Sequence, residues 1–590
     1  MVSSVERLKC IWPSASLISS NSSTAAAAIL ALVLATAGTA CGTGQTTGTG
    51  DKPSAIAVAP ADLVLVNGTM LTMDPLMPQA TGMAIRNGRI VAVGNDKQMK
   101  QYVGPKTRRI DLKERGVTPG LVDAHAHLVG LGAAREQIDL RGTKTEQGVA
   151  AKVAKAAATR KKGEWITGRG WDQTLWSPAK FPHHRTLDKL VADHPVAIRR
   201  VDGHATWANK RAMDLAGITD KTPDPKGGRI LRDADNKPTG VFIDTAASLI
   251  SKHIPAAAPA LIRRRILAAA KYAVSLGLTG VHEMGIGSTT AGIYAELAKQ
   301  NKLPLRVYAF LGANAAAITK LSSRKPIADT GNSFFSARGI KLYADGALGS
   351  RGASLLAPYS DEPGKKGLQI STATALNEAA MFAAKNGWQL GTHAIGDASI
   401  RAVLDAYEKA IAAHPKSDLR FRVEHAQVVS LRDIPRFAKL GVLASMQPTH
   451  ATSDMRWAEA RVGPERIKGA YAWRKLLNTG ARVVAGSDFP VERASPLLGL
   501  HAAVTRQDSK GKPAGGWYPK ERMTLHEAVA AFTVEPAYAS FVENHRGRLR
   551  KGYVADITVF DKPLASGKLL QTRVDMTIVE GRIVFARTVK

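Results

Sequence analysis

Residues 117–127 read VTPGLVDAHAH, an apolar run that ends in the two histidines His125 and His127. An apolar run of this length predicts a buried strand. Residues two apart in a strand point to the same side, so both imidazoles would face one point, as ligands of a divalent metal ion do. The stretch therefore predicts a strand with metal-competent side chains at its carboxyl end.

Seven further β-rich segments follow in the chain, and helical segments such as Leu261–Leu276 and Ala375–Asn386 separate them. This alternation is typical of a parallel sheet with crossover helices, and eight strands close a (β/α)8 barrel. We expect the barrel strands at Val117–His127, Leu278–Met284, Leu305–Leu311, Gly339–Ala344, Gln389–His393, Phe421–His425, Val442–Gln447 and Arg482–Ser487.

Three more metal-competent side chains stand where later predicted strands end. His393 ends the fifth strand, His425 the sixth, and Asp488 follows the eighth. The carboxyl ends of barrel strands are the place where residues distant in sequence converge. A lone histidine is more often a core or surface residue than a ligand, but five such residues at strand ends favour a metal centre.

The segment between the first and second predicted strands is unusually long. About 150 residues separate them, where a barrel normally uses a few tens. We therefore expect an insertion over about residues 128–276, on the face that carries the active site in barrel enzymes.

Short β segments flank the barrel at both ends of the chain. Asn-Gly pairs interrupt the apolar runs of residues 61–74 and 83–96, which predicts hairpins, and residues 555–560 and 575–585 are again strand-like. Neither end has enough strand to bury a sheet alone. We expect residues 61–116 and 546–590 to form one small β-sandwich domain beside a barrel at 117–545; two separate hairpins packed on the barrel are the alternative.

The first sixty residues have the layout of an export signal. Arg7 and Lys9 precede the apolar run AAAAILALVLATA (25–37), which is shorter than the roughly 20 residues of a membrane-spanning helix. We expect a signal peptide at 1–40, a flexible tether at 41–60, and export to the bacterial periplasm. Ala40-Cys41-Gly42 also resembles a lipoprotein cleavage site, where a lipidated Cys41 would anchor the protein to the cell envelope, although Gly38 departs from the usual leucine.

The composition excludes several classes of protein. With 45% hydrophobic and 22% charged residues, the chain has enough apolar surface to fold. Two cysteines, Cys10 and Cys41, exclude a disulfide scaffold and a cysteine-rich metal site. The net charge is +32, but the basic residues are spread along the chain and only 6% of residues are aromatic, so we expect no nucleic-acid partner.

Seven motifs in this chain resemble the amidohydrolase superfamily, and within it the amidohydrolase-3 (YtcJ-like) branch related to N-substituted formamide deformylase. The motifs are GLVDAHAH (120–127), DGHATWAN (202–209), IKLYADGALGSR (340–351), THAIGD (392–397), RVEHAQ (422–427), SMQPTH (445–450) and AGSDFP (485–490). The resemblance runs from about Ala61 to the C-terminus. It implies a (β/α)8 barrel, a β domain built from both termini, and one or two divalent ions such as Zn²⁺. The ligands it implies are His125, His127, His393, His425 and Asp488.

The resemblance also gives Lys341 a role. In two-metal members of the superfamily a lysine on the fourth strand reacts with CO2, and the carbamate bridges both ions; Lys341 stands at the matching place. A bare lysine is a poor ligand for a cation, whereas carbamate oxygens suit divalent metals. The alternative is an ion pair between Lys341 and a carboxylate such as Asp345.

The expected chemistry is hydrolysis of a small-molecule substrate. A bound divalent ion lowers the pKa of water toward roughly 7 and polarises a carbonyl. Asp488 would act as general base, or serve as a ligand only. We therefore predict a metal-dependent hydrolase of non-peptide C–N bonds in an N-acyl or N-formyl amine, an amide or a cyclic amide. The alternatives are the same chemistry on an ester, lactone or carbamate, and an exported binding or regulatory protein on an inactive barrel.

Further polar side chains are candidates for contact with the substrate. They are His204, His282, Asp345, Arg351, Gln447 and His450. Asp345 and Arg351 could instead hold the loop that follows Lys341. His204 would orient substrate from the insertion or be hydrogen-bonded within it, and His282 could instead fix the tautomer of a ligand histidine. Relatives often carry Glu at the position of Asp244, so the shorter acid puts any role there in doubt. The oligomeric state stays open, a homo-oligomer included.

Overall fold

The computed structural model describes residues 58–255, 257–315, 318, 325–327 and 333–588. The predicted signal peptide, Cys41 and most of the predicted tether lie outside the described residues. Within the described part, helices that combine the length and the apolarity needed to cross a bilayer do not occur.

Eight parallel strands form the central sheet in simple chain order, each paired with the next along the chain. They are Leu121–Ala126, Leu278–Ile286, Arg306–Gly312, Phe335–Tyr343, Gln389–Ala394, Arg422–His425, Leu443–Met446 and Val483–Ala485. A parallel bridge between Ala126 and Phe489 brings the end of the eighth strand against the first, and the amide of His127 donates to the carbonyl of Phe489 (2.9 Å). The predicted (β/α)8 barrel is confirmed.

The first barrel strand is shorter than predicted. The predicted strand Val117–His127 is divided at Gly120: Gly116–Pro119 joins the β domain, and Leu121–Ala126 joins the barrel. A Cβ at residue 120 would lie 2.2 Å from Oγ1 of Thr279, so the crossing between the two sheets needs a glycine. The apolar pattern of the sequence does not show that the chain passes from one sheet to another at Gly120, because the segments before and after it are both buried.

Helices lie between the barrel strands and cover the outside of the barrel. The two expected helices occur as Pro259–Ser275 and Ala373–Lys385, the second capped by Thr372, whose side chain accepts from the amide of Ala375. The helices that follow barrel strands are Leu128–Glu136, Pro259–Ser275, Ser288–Lys299, Ala373–Lys385, Asp397–Ala413, Ile434–Leu440, Pro448–Asp454, Ala458–Arg466, Trp473–Asn478, Pro496–Thr505, Leu525–Ala531 and Val534–Ala539.

The chain ends meet in one β domain of two sheets. In spatial order, one sheet contains Arg89–Gly94, Gly82–Arg86, Leu63–Val66 and Arg108–Asp111, and the other contains Arg582–Ala586, Val574–Val579, Ile557–Phe560, Gly116–Pro119, Thr69–Leu71 and Gln79–Ala80. Ile557 pairs antiparallel with Pro119. Leu65 and Met83 of the first sheet share an apolar core with Ile557 and Ile578 of the second. The two ends therefore complete each other, as expected, rather than forming separate hairpins.

The residues between the first two barrel strands carry a sheet of their own. Its strands, in spatial order, are Gly228–Arg232, Pro238–Asp244, Ala205–Ala208, Val196–Arg200, Ile166–Trp171 and Ile138–Asp139. The short helices of this part are Glu146–Ala157, His184–Asp188, Lys210–Leu215 and Ala247–Ser251. Trp171, Trp176 and Trp207 pack against one another at ring distances of 6.2–6.5 Å in its apolar core.

Candidate metal centre

Three predicted ligands meet where the first, sixth and eighth barrel strands end. One ligand atom each of His125, His425 and Asp488 lies within 4.8 Å of the others. Nε2 of His125 is 3.7 Å from Oδ1 of Asp488, and Nε2 of His127 is 3.0 Å from the same oxygen. The strand-end positions in the sequence therefore correspond to one compact cluster of nitrogen and oxygen donors.

His393 and Lys341 complete this cluster. The ring centroid of His393 is 4.6 Å from that of His425, which in turn is 4.7 Å from that of His125. Nζ of Lys341 is 3.3 Å from Nε2 of His125. Burial lowers the pKa of Lys341 to about 8, so a sizeable share of its amine is neutral near that pH. All six predicted ligands thus lie together.

Three acceptors hold the ligand histidines by their Nδ1 atoms. Nδ1 of His125 is 2.6 Å from Oε2 of Glu424, and Nδ1 of His127 is 3.0 Å from the carbonyl of Met284. Nδ1 of His425 is 2.7 Å from Oε1 of Gln447. Each acceptor fixes the proton on Nδ1 and leaves the Nε2 lone pair for an ion. Gln447 therefore lies at the site as a partner of a ligand histidine.

Glu424 has no counterpart in the sequence-based prediction. It is fully buried, and Nε of Arg422 lies 2.7 Å from its Oε1. Burial opposes its charge, but Arg422 and His125 hold the pKa of Glu424 well below its usual value. The only sequence signal for Glu424 is its place in RVEHAQ beside His425. Position next to a predicted ligand in one strand does not indicate that Glu424 contacts His125 in another strand.

His282 was predicted to contact substrate, but the structure places it below the cluster. Its Nδ1 is 2.9 Å from Nη1 of Arg422, and its side chain is buried inside the barrel. Arg422 also donates to Oγ of Ser445 (2.7 Å) and to the carbonyl of Ala124 (2.7 Å). His282 therefore belongs to a polar network that supports Glu424, because its Nδ1 contacts Arg422 and Arg422 in turn pairs with Glu424.

Nε2 of His450, a buried atom beside the cluster, has no hydrogen-bond partner among the described residues and lies 3.9 Å from Oδ2 of Asp488. Burial raises the pKa of Asp488, but His127 and His125 outweigh it and hold that pKa well below its usual value. A buried carboxylate and several imidazole nitrogens aimed at one point fit a divalent cation.

His204 comes from the insertion and reaches the same place. Its ring centroid is 5.2 Å from that of His393, and its Nδ1 is 2.7 Å from Oδ1 of Asp244. Burial opposes a charge on His204, but Asp244 outweighs it and raises the pKa. A Cβ at Gly346 or Gly352 would lie within 2.6 Å of Oδ2 of Asp244, so this loop packs closely around the acid. His204 is therefore hydrogen-bonded within the insertion and also lines the cavity, and its contact with substrate stays a prediction.

Asp345 was predicted to contact substrate, to pair with Lys341 or to hold the loop that follows Lys341, and no ion pair with Lys341 is found among the described residues. Its side chain is fully buried and accepts from the amides of Ile395 (3.0 Å), Gly396 (2.8 Å) and Ser354 (2.8 Å). Burial raises its pKa to about 7. Asp345 therefore holds the loops that follow the fourth and fifth barrel strands, and its Oδ1 lies 3.6 Å from Nε2 of His393. It is not among the residues that line the cavities at the cluster.

Arg351 also lies away from the predicted position. Its guanidinium forms ion pairs with Asp361 (3.0 Å) and Glu362 (3.1 Å) at the surface. Arg351 is not among the residues that line the cavities at the cluster, because Asp361 and Glu362 of its own loop hold its guanidinium.

Two cavities meet at the cluster. One, of about 630 Å³, contains His125, His127 and Lys341, and the other, of about 340 Å³, contains His450 and Trp457. The side chains common to both linings are Asp202, His204, His393, His425, Asp488 and Val491. Their size suits a small organic substrate.

A barrel with imidazole and carboxylate donors at its strand ends, joined to a β domain from both termini, defines the metal-dependent hydrolases of the amidohydrolase type. Residues 108–585 match the amidohydrolase family (Amidohydro_3). The chain belongs to this family, which confirms the resemblance inferred from its motifs.

Known relatives share most of the chain. It is 34% identical to the protein LONG AFTER FAR-RED 3 of Arabidopsis thaliana, over 85% of this chain and 87% of the relative. It is 32% identical to the putative amidohydrolase YtcJ of Bacillus subtilis strain 168, over 88% and 99%, and 27% identical to the N-substituted formamide deformylase of Arthrobacter pascens, over 89% and 99%. The crystal structure of an uncharacterized metal-dependent hydrolase from Pyrococcus horikoshii OT3 is similar with a TM-score of 0.70 at 28% identity, covering 86% of this chain and 99% of that one.

Proposed function

We propose that this protein is a metal-dependent hydrolase of non-peptide C–N bonds in a small molecule such as an N-acyl or N-formyl amine, an amide or a cyclic amide. The observation that carries the proposal is the convergence of His125, His425 and Asp488 within 4.8 Å in a cavity lined by further histidines. The relative from Arthrobacter pascens, whose name states a formamide substrate, supports the choice of bond.

The residues that would hold the metal are His125, His127, His393, His425 and Asp488, with Lys341 as a carbamate if two ions bind. Zn²⁺ is the ion we propose, because nitrogen and carboxylate donors suit it. When bound, a divalent ion supplies polarisation of the scissile carbonyl and a lower pKa for water.

Asp488 would move the proton in this reaction. Its carboxylate is ionised, because neighbouring histidines hold its pKa low, and its Oδ1 faces Nε2 of His127 at 3.0 Å within the cluster. We propose that Oδ1 accepts the proton of the attacking water and that Asp488 then donates it to the leaving nitrogen. We propose that His204, whose Nδ1 is 2.7 Å from Oδ1 of Asp244, orients the substrate from the insertion; its position in the cavity lining supports this role.

The experiment combines metal content with turnover. We expect elemental mass spectrometry of the purified protein to find one or two zinc ions per chain, and a panel of N-acyl and N-formyl amines to be hydrolysed. The His125→Ala/His127→Ala variant should lose both metal and activity while remaining folded. Ester, lactone and carbamate analogues in the same panel test the alternative bonds. A protein that takes up no metal when zinc is offered would exclude the proposed function.

For localisation we propose export with Cys41 as a lipid anchor, on the strength of the basic, apolar and small-residue order before Cys41. A Cys41→Ser variant should move from the membrane fraction to the soluble fraction of the cell envelope. A membrane fraction that does not change would exclude the lipid anchor.

A further inference from the structure

Two arginines of the insertion line the cavity that contains the metal centre. Arg169 and Arg199 lie on neighbouring parallel strands and are direct partners in the register. Both side chains line the cavity of about 630 Å³ that also contains His125, His127 and Asp488. The sheet of the insertion therefore presents two guanidinium groups side by side to the reaction site.

Neither guanidinium forms an ion pair within the described residues. Nη2 of Arg169 donates to the carbonyl of Val201 (3.1 Å), and its buried Nε has no hydrogen-bond partner there. Burial lowers the pKa of Arg169 to about 10, which still leaves it charged at neutral pH. Arg199 is exposed to solvent. Two adjacent cations without a counter-ion are costly in a confined cavity unless an anion binds there.

The acids that line the same cavity already have partners. Asp202 pairs with Arg200, and Asp244 binds Nδ1 of His204. Glu283 accepts from the amides at the start of the helix Leu128–Glu136, and Asp488 lies in the metal cluster. The two arginines therefore remain as positive charge that no lining carboxylate neutralises.

A short chain of contacts joins Arg169 to the cluster. A Cβ at Gly203 would lie 2.8 Å from Nη2 of Arg169, so the guanidinium packs directly on Gly203. The next residue is His204, whose ring centroid is 5.2 Å from that of His393. A small molecule that reaches the cluster can thus contact the arginines with its other end.

We propose that Arg169 and Arg199 bind the carboxylate of the substrate, so that the natural substrate is an acidic amide such as an N-acyl amino acid. The planar forks of two arginines match the two oxygens of a carboxylate. This inference rests on the proposed hydrolysis for the identity of the reacting bond. The binding of the anion itself does not depend on that reaction.

The test compares an acid with its neutral counterpart on the zinc-loaded full chain. N-acetylglycine and N-acetylglycinamide differ only in the carboxylate, and kcat/KM is measured for both. We expect the wild type to prefer the acid by between about tenfold and a hundredfold, from charge-assisted hydrogen bonds. In the Arg169→Gln/Arg199→Gln variant this ratio should fall toward one, through a higher KM for the acid. Arg211→Gln, an exposed arginine of the insertion, is the matched control and should keep the wild-type ratio.

Calorimetric titration of the same proteins separates this inference from the proposed function. If neither these two compounds nor any member of the N-acyl and N-formyl amine panel is hydrolysed, the proposed function fails, yet tighter binding of N-acetylglycine to the wild type than to the double variant would still support the arginine site. An N-acetylated aminomethylphosphonate bound more tightly than N-acetylglycine would overturn the choice of a carboxylate. Equal binding of acid and amide by the wild type, or an acid preference that survives in the double variant, would overturn the inference.

Discussion

Glu424 sets the orientation of His125, because its Oε2 lies 2.6 Å from Nδ1 of that imidazole. A Glu424→Gln variant keeps the shape but loses the charge that holds the proton on Nδ1. We expect its zinc affinity to fall about 10- to 100-fold, as measured by competition with a chelator. Glu378→Gln, an exposed glutamate on a barrel helix, is the control and should bind zinc as the wild type does. An unchanged affinity in Glu424→Gln would show that Glu424 does not tune the site.

Lys341 offers a second prediction at the scale of one residue. Carbamylation needs a neutral amine, and burial lowers the pKa of Lys341 to about 8. Protein prepared with ¹³C-labelled bicarbonate should show a carbamate resonance that is missing in Lys341→Ala. The variant should lose most of its activity and partly recover it with short-chain carboxylic acids. If the wild-type protein shows no carbamate resonance, Lys341 does not bridge two ions, and a centre with one ion would be supported instead.

The clustering of the predicted ligands was predictable from the sequence, and the residues that support them were not. His125 lies in the first barrel strand and His127 directly after Ala126, where that strand ends. His393 and His425 lie near the carboxyl ends of their strands, and Asp488 follows the eighth. These strand ends converge in any barrel. Glu424 and Arg422 act across strands, and Asp345 and Arg351 depend on how a loop turns. Such contacts are set by tertiary packing, which a single sequence does not specify.

At the scale of elements, Gly120 decides where the β domain ends and the barrel begins. Gly120→Ala would place a Cβ 2.2 Å from Oγ1 of Thr279, so the two sheets must separate. We expect a loss of about 1–3 kcal/mol in the free energy of unfolding. Gly292→Ala, in the helix Ser288–Lys299 with open space around its Cα, is the control and should gain up to about 1 kcal/mol. Denaturant titration measures both, and equal stabilities would contradict the steric explanation.

The helix Leu525–Ala531 begins with a capping box of Thr524 and Glu527. Arg474 donates to Oε1 of Glu527 (2.8 Å), and this hydrogen bond lowers the pKa of Glu527 to about 2. Because the folded pKa lies below the unfolded value of about 4.3, the contribution is complete above pH 5 and is lost as the pH falls toward 2. Glu527→Gln should therefore lose about 1 kcal/mol at pH 7, after allowance for solvent screening, and less at pH 3.

Thermal unfolding across this pH range tests the sign of the effect. Glu465→Gln, which alters an exposed pair with Lys468, is the control and should show almost no change. A deficit of Glu527→Gln that grows toward acid pH would contradict the assignment.

The element count was predictable because alternating strands and helices repeat along the chain. Most strand positions in the barrel follow from short apolar runs, and the pairing of the two chain ends follows from the shortage of strands at each end. The boundary at Gly120 escaped prediction because one buried run serves two sheets. The sheet of the insertion was not predicted, since its strands do not follow the regular alternation of strand and helix that marks the barrel.

At the scale of the whole molecule, a buried ion pair joins the barrel to the β domain. Nε of Arg306 is 2.8 Å from Oδ2 of Asp556, which also precedes the domain strand Ile557–Phe560. Asp556→Ala leaves the buried Arg306 without its partner, which should cost about 3 kcal/mol or more. Asp193→Ala, in an exposed pair with Lys162, is the control and should cost less than about 1 kcal/mol.

Calorimetry shows how the two parts respond to this change. We expect Asp556→Ala to lower a single unfolding transition of barrel and β domain together, because the ion pair and the shared strands couple them. Two separate transitions in the wild type would contradict that coupling.

The bridge between Ala126 and Phe489 joins residues that leave the ribosome at very different times. On the ribosome, the first barrel strand emerges long before the residue that it must meet, and the strands that complete the β domain emerge last of all. His125 and His127 therefore remain apart from Asp488 until nearly the whole chain has been translated. A polypeptide released before residue 488 lacks one of the predicted ligands, so the complete cluster forms only late in synthesis.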